Sequence, residues 1–163
     1  MSTLTLASLT PSDMNTIIRK INKNESSTTL LYDADMPHAV ADYIDRGIIL
    51  GAFSGDHLVG QCVLIHTRPF TYELVNIAVD EKCRTKGIGR ALIERCVEES
   101  KTAGFHTLEV GTADIGTDEI YFYLKCGFNI TWVDDGFFIR NCPEPVMDNG
   151  RQCRDMVRFA MHF

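Results

Sequence analysis

Residues 84–90, Arg-Thr-Lys-Gly-Ile-Gly-Arg, bring together what a phosphate needs. Gly87 and Gly89 open a predicted helix, and Arg84, Lys86 and Arg90 add positive charge around them. The first N–H groups of a helix lack an intrahelical acceptor and carry partial positive charge. Glycine removes side-chain bulk, so an anion can rest directly on those groups. Two well-known cradles fit this segment poorly. A P-loop requires GxxxxGK[ST], and the chain has no Gly-Lys pair. The dinucleotide fingerprint requires a third small residue where this chain has Leu92, and its glycines follow the strand at once. Here the loop Glu81–Lys86 intervenes, and Glu109, placed roughly where a ribose carboxylate belongs, lies inside an apparent strand.

The surrounding elements must aim this helix start. Residues 3–8 alternate weakly and predict a short strand. Pro11, Ser12 and Asp13 predict a helix start, with Met14, Ile17, Ile18 and Ile21 at helical spacing. Pro37 opens a second helix through about Arg46, ended by Gly47. IILGAF (48–53) and LVGQCVLI (58–65) flank a turn and predict a β-hairpin, followed by a strand over 72–80. Residues 87–103 form an amphipathic helix with Ile88, Ala91, Leu92, Cys96 and Val97 on one side. Next come a strand at 106–111, a helix at 117–126, and strands at 128–133 and 153–163, with 134–150 as a long loop. This order predicts a mixed α/β sheet with helices on its faces. No repeat or linker breaks the chain, so one domain over residues 1–163 is expected.

RTKGIG follows the pattern (Arg/Gln)-x-x-Gly-x-(Gly/Ala), NIAVDEKCRTKGIGRALI reads as strand, loop and helix, and FYLKCGF (122–128) as a later helix-to-strand element. In these motifs and their order the chain resembles the GNAT N-acetyltransferases, most strongly over residues 48–133. The tail, CPEPVMDNGRQCRDMVRF, is similar to that of a small bacterial group within that superfamily. The resemblance implies a mixed, mostly antiparallel sheet with helices on both faces, and acetyl-CoA as co-substrate. It further implies that backbone groups of Ile77, Ala78 and Val79 pair with the pantetheine arm. The N–H groups of Arg84, Thr85, Lys86, Gly87, Ile88, Gly89 and Arg90 would hold the pyrophosphate, and the N–H of Ile77 or Val79 would face a developing oxyanion. Many members carry an asparagine where this chain has Asp114, which accepts hydrogen bonds but cannot donate them as an amide does.

Two side chains match the family's proton carriers. An alkylammonium has a pKa near ~10.4, so only about one molecule in 10³ is a free amine at neutral pH. Glu73 matches a carboxylate that takes this proton in several members, and it shares strand parity with Ile77 and Val79. Tyr123 matches the tyrosine that protonates the departing thiolate. Retaining both favours an enzyme over a non-catalytic acyl-CoA-binding module. The expected acceptor is a small cationic amine, with a protein N-terminus or lysine as the alternative. The loop 134–150 is expected to help bind it, through Asp134, Asp135, Glu144 and Asp148 together with Phe137 and Phe138.

Composition limits the partners. A net charge of −6 argues against nucleic acid or an anionic membrane as the main partner. The six cysteines form no CxxC pair, and His38, His57, His66, His106 and His162 show no metal-ligand spacing, so no metal is expected. There is no Gly-x-Ser-x-Gly elbow for a hydrolase. With no signal peptide visible and no long apolar stretch, a cytoplasmic protein is expected. Family members are often dimers, which makes a homodimer one state the resemblance allows.

Overall fold

The computed structural model describes residues 15–163. Seven strands form one sheet in the order β1-β2-β3-β4-β5-β9-β6. These are β1 (Thr16–Ile21), β2 (Ile48–Ser54), β3 (His57–Arg68), β4 (Thr71–Val79), β5 (Thr107–Ala113), β6 (Asn129–Asp134) and β9 (Met156–His162). The helices are α1 (Thr28–Ala34), α2 (Pro37–Tyr43), α3 (Ile88–Thr102), α4 (Thr117–Lys125) and α5 (Phe137–Asn141). The sheet is mixed and mostly antiparallel, with β4 and β5 running parallel from Thr71↔Thr107 to Leu74↔Val110. No described helix is long and apolar enough to cross a membrane.

The chain folds as two compact units. The first holds the described residues through Val63 together with Asn76–Leu92. Its core includes Leu30, Leu31, Val40, Tyr43, Leu50, Ala52 and Val63. The predicted helix over 11–21 is corrected here, because its described part is strand β1, paired antiparallel with β2 from Thr16↔Ser54 to Ile21↔Ile49. The run Thr16-Ile17-Ile18 is β-branched and loses rotamer freedom in a helix, so the pleated state wins over a spacing that suited both. The expected strand at 3–8 lies outside the described residues. Helix α1 had no counterpart in the sequence reading. It starts where the Ser27 hydroxyl accepts the Leu30 N–H at 3.2 Å.

The second unit comprises Leu64–Val75 and Ile93–Phe163. Strand β9 pairs with β5 on one side and β6 on the other, both antiparallel. Its core gathers Leu108, Val110, Tyr123, Phe128, Phe159 and Ala160. The segment 134–150, expected as a loop, contains α5, and a short antiparallel ladder joins β7 (Met147–Asp148) to β8 (Arg151–Gln152). Asn149 and Gly150 turn that hairpin with φ of 46° and 75°, as a tight two-residue turn requires.

Candidate functional sites

In the first unit, β4 ends at Val79 and a tight loop leads into α3. Asp80 caps its single 3-10 turn, accepting the Lys82 N–H at 2.9 Å. Thr85 and Gly87 then adopt left-handed backbone, with φ of 64° and 82°. For a β-branched threonine that conformation is strained, and strain of this kind gathers at ligand sites. A Cβ built on Gly87 would meet nothing within 4 Å, so open space adjoins the helix start. The carbonyl of Gly87 accepts the Ala91 N–H at 3.0 Å, which makes Gly87 the first capping residue of α3.

Gly60 on β3 fixes how closely this helix start approaches. A Cβ there would lie 3.1 Å from Ile88 Cγ2 and 3.2 Å from the Ala78 carbonyl. Ile88 and Leu92 are buried on that surface, so glycine lets the first turn of α3 settle against the strands. Among the basic residues, Arg84 is already engaged. Its Nε donates to the Val79 carbonyl at 3.0 Å, and one Nη to Asp33 at 2.6 Å. The side chain therefore ties the loop to the end of β4.

On β4 the even positions Leu74, Asn76 and Ala78 are buried, while Glu73, Val75, Ile77 and Val79 are partly exposed. This is the shared parity expected of Glu73, Ile77 and Val79. Asn76 anchors a buried network beneath. Its Nδ2 donates to the Leu31 carbonyl and to the Tyr43 hydroxyl, each at 2.9 Å. Tyr43 in turn donates to Asp35 Oδ2 at 3.2 Å. Burial pushes the Tyr43 phenol far above its ordinary range, and burial also raises the Asp35 carboxyl.

In the second unit, Glu73 sits opposite Glu109 in the parallel β4–β5 register. Like charges facing each other across a ladder are unfavourable, and each here has an arginine. Arg158 Nη1 donates to Glu73 Oε1 at 2.7 Å, and Arg68 donates to Glu109. Arg158 also lies 3.8 Å from Asp134 and 5.3 Å above the Phe137 ring. Glu73, Glu109, Arg68 and Arg158, with Thr131 and Trp132, line a cavity of about 130 Å³. Sequence reading missed Arg158 and weighed Glu109 only for a ribose. The available signal was a lone charge inside each of two otherwise apolar strands.

Tyr123 is buried on α4, with its ring edge-on to Phe128 at 5.8 Å and tilted against Phe159 at 5.6 Å. Asp114 accepts the Arg154 backbone N–H at 3.1 Å, so in this chain it fastens the segment before β9. Asp134 pairs with Arg140 and Arg158, and Asp135 with Arg154, while the face of Phe137 already covers the Arg158 guanidinium. Asp134, Asp135 and Phe137 thus each engage an arginine of the same chain. All six cysteines are free thiols, and burial, with Asp148 and Asp114 nearby, pushes the Cys153 thiol up and away from nucleophilic use.

Comparison with known proteins gives a consistent result. The acetyltransferase (GNAT) family matches residues 17–128. The N-acetyltransferase YvbK of Bacillus subtilis (strain 168), itself uncharacterised, is 41% identical over 153 residues, spanning 91% of this chain and 99% of that protein. An IAA acetyltransferase from Bacillus cereus ATCC 14579 superposes with a TM-score of 0.85 at 39% identity, covering 91% of this chain and all of the other. A GNAT family acetyltransferase from Elizabethkingia anophelis, with acetyl-CoA bound, gives a TM-score of 0.86 at 32% identity, over 91% and 99% of the two chains.

Proposed function

The chain belongs to the acetyltransferase (GNAT) family, and we propose that it acetylates the primary amine of a small molecule that arrives as an ammonium ion. Acetyl-CoA supplies the activated acetyl group. The observation that carries the reading is the start of α3. There a left-handed Thr85 and Gly87, a Gly60 that permits close packing, and open space beside Gly87 make a loop suited to phosphate oxygens. The N–H groups of residues 84–90 would hold the pyrophosphate, and the backbone of Ile77, Ala78 and Val79 the pantetheine arm. Asp114 accepts the Arg154 N–H through one oxygen, and as a carboxylate it would accept from the pantetheine arm but not donate to it.

Protons must balance. The acceptor loses one proton before its nitrogen attacks the thioester carbon, and Glu73 takes it, directly or through water, using the oxygen that Arg158 leaves open. As the C–N bond forms and the C–S bond breaks, the nitrogen loses a second proton and the sulfur gains one. Tyr123 donates to that sulfur and recovers a proton from the nitrogen side. Thiol release tests the reading. With acetyl-CoA and a panel of small amines, free CoA should appear in step with an amide product. Binding of acetyl-CoA without turnover on any amine, peptide N-terminus or lysine would leave a binding module instead.

A further inference from the structure

The cavity of the second unit has a charge pattern that a simple amine does not require. Its lining carries Glu73 and Glu109 as negative groups and Arg68 and Arg158 as positive ones, so the set is neutral overall. The carboxylates face each other across β4 and β5, and the arginines reach them from the end of β3 and from β9. The fold makes specific room for one of them. A Cβ on Gly111, which opposes Arg158 in the β5–β9 register, would fall 2.5 Å from Met156 Sδ and 3.2 Å from Arg158 Nη1. Arg158 also keeps unused donor capacity, because its Nε is buried without a hydrogen-bond partner.

Resting on the acetyl-transfer reading, we infer that this cavity takes the head group of a free α-amino acid, whose amine is the acceptor. Opposite charges in an α-amino acid sit on neighbouring atoms of one carbon. The Glu73–Arg158 pair, in contact at 2.7 Å, presents the complementary pattern at the same spacing. The ammonium meets Glu73 and Glu109 and the carboxylate meets Arg158 and Arg68, so each internal ion pair is exchanged for one to the ligand. No unpaired charge is buried in that exchange, which avoids the main penalty of a buried ion. Size agrees, since a cavity of about 130 Å³ is close to the ~150 Å³ that accommodates benzene. A polyamine would meet two arginines there, and a lysine side chain brings no neighbouring carboxylate.

The test compares each free L-amino acid with its methyl ester, which keeps the amine and removes the carboxylate charge. Thiol release from acetyl-CoA gives kcat/KM for both. The best free acid is expected to exceed its ester at least 30-fold. Arg158→Gln should lower kcat/KM for the acid at least tenfold more than for the ester, removing most of that advantage, and Arg68→Gln, at a more exposed site, should do the same to a smaller degree. An ester used as well as its acid overturns the inference and leaves acetyl transfer standing. So does an equal loss on acid and ester in both variants, which would mark the arginines as supports of the fold. If no amine releases thiol, calorimetric titration decides. Amino acids that bind more tightly than their esters keep the head-group site and remove the transfer reading, and no binding of any free amino acid removes the site.

Discussion

The two units handle buried polarity in opposite ways. In the first, Asn76, Gln61 and Tyr43 are buried, Asn76 and Gln61 bonded to backbone carbonyls and Tyr43 to the Asn76 amide and the Asp35 carboxyl. Gln61 both accepts from the Ser27 N–H and donates to the Ser27 carbonyl, each at 2.9 Å. In the second, Glu73, Glu109 and Arg158 remain partly exposed and charged. A buried amide with fixed partners holds one conformation, because losing any bond leaves a desolvated group. A half-exposed ion pair contributes little net stability and can change partners. The first pattern suits a rigid scaffold for a cradle, and the second suits a site that must accept and release a charged ligand.

The sharpest break would come from the cradle. Gly87→Glu with Gly89→Glu should weaken acetyl-CoA binding at least ~100-fold, about 2.7 kcal/mol, and abolish its rise in Tm. The variant's own Tm will fall somewhat, since Gly87 is left-handed, so the comparison is with and without acetyl-CoA. A shift that survives would place the coenzyme elsewhere. Next, Asn76→Leu leaves the Tyr43 hydroxyl without its donor and the Leu31 carbonyl with only the Asp35 N–H, and should lower unfolding free energy by about 2 kcal/mol in urea titration. Glu73→Gln should lower it by under ~1 kcal/mol, yet cut kcat/KM near neutral pH about tenfold, with partial recovery at high pH where free amine abounds. Equal stability losses in the two variants would erase the contrast between units.

Tyr123→Phe comes third, with kcat down about tenfold and acetyl-CoA binding little changed, because the hydroxyl acts only as thiolate forms. Unchanged kcat with chemistry rate-limiting would leave Tyr123 as packing against Phe128 and Phe159. The smallest effect belongs to Asp35. Burial raises its carboxyl above the ordinary 3.8, against the lowering bonds from the Met36 N–H and the Tyr43 hydroxyl. The folded chain thus keeps a proton that the unfolded chain has released, so stability falls as pH rises from that ordinary value through the raised one. Asp35→Asn lacks this step. Its Tm relative to the parent should increase with pH across that window, and a pH-independent difference would show that the carboxyl is not perturbed.

How much of this was legible in the sequence differs by region. The turn into α3 was readable because its signal is local: glycines, basic residues and a helix start lie within seven consecutive positions. The strands of the seven-stranded sheet from 48 onward were readable because apolar runs and turn residues agree there. Strand β1 was misread because Ile17, Ile18 and Ile21 satisfy helical spacing as well as a strand, and only pairing with β2 decides. The charge cluster was illegible for a different reason. Glu73, Glu109 and Arg158 come from separate strands, and only the sheet register makes them neighbours. In the acidic loop, composition shows the carboxylates but not the arginines that fold back onto Asp134 and Asp135.

Trp132 lines the cavity and is 53% exposed, and it is the sole tryptophan of the chain. An indole beside two carboxylates and two guanidinium groups emits light whose colour and intensity follow the local field and hydration. The protein thus carries one built-in optical probe, positioned where the acceptor would sit and separate in sequence from the cradle. Titrating amino acids while exciting at the indole band would read occupancy without label or turnover. Every other fluorophore in the chain is a weaker tyrosine or phenylalanine, so the signal would belong to this one cavity.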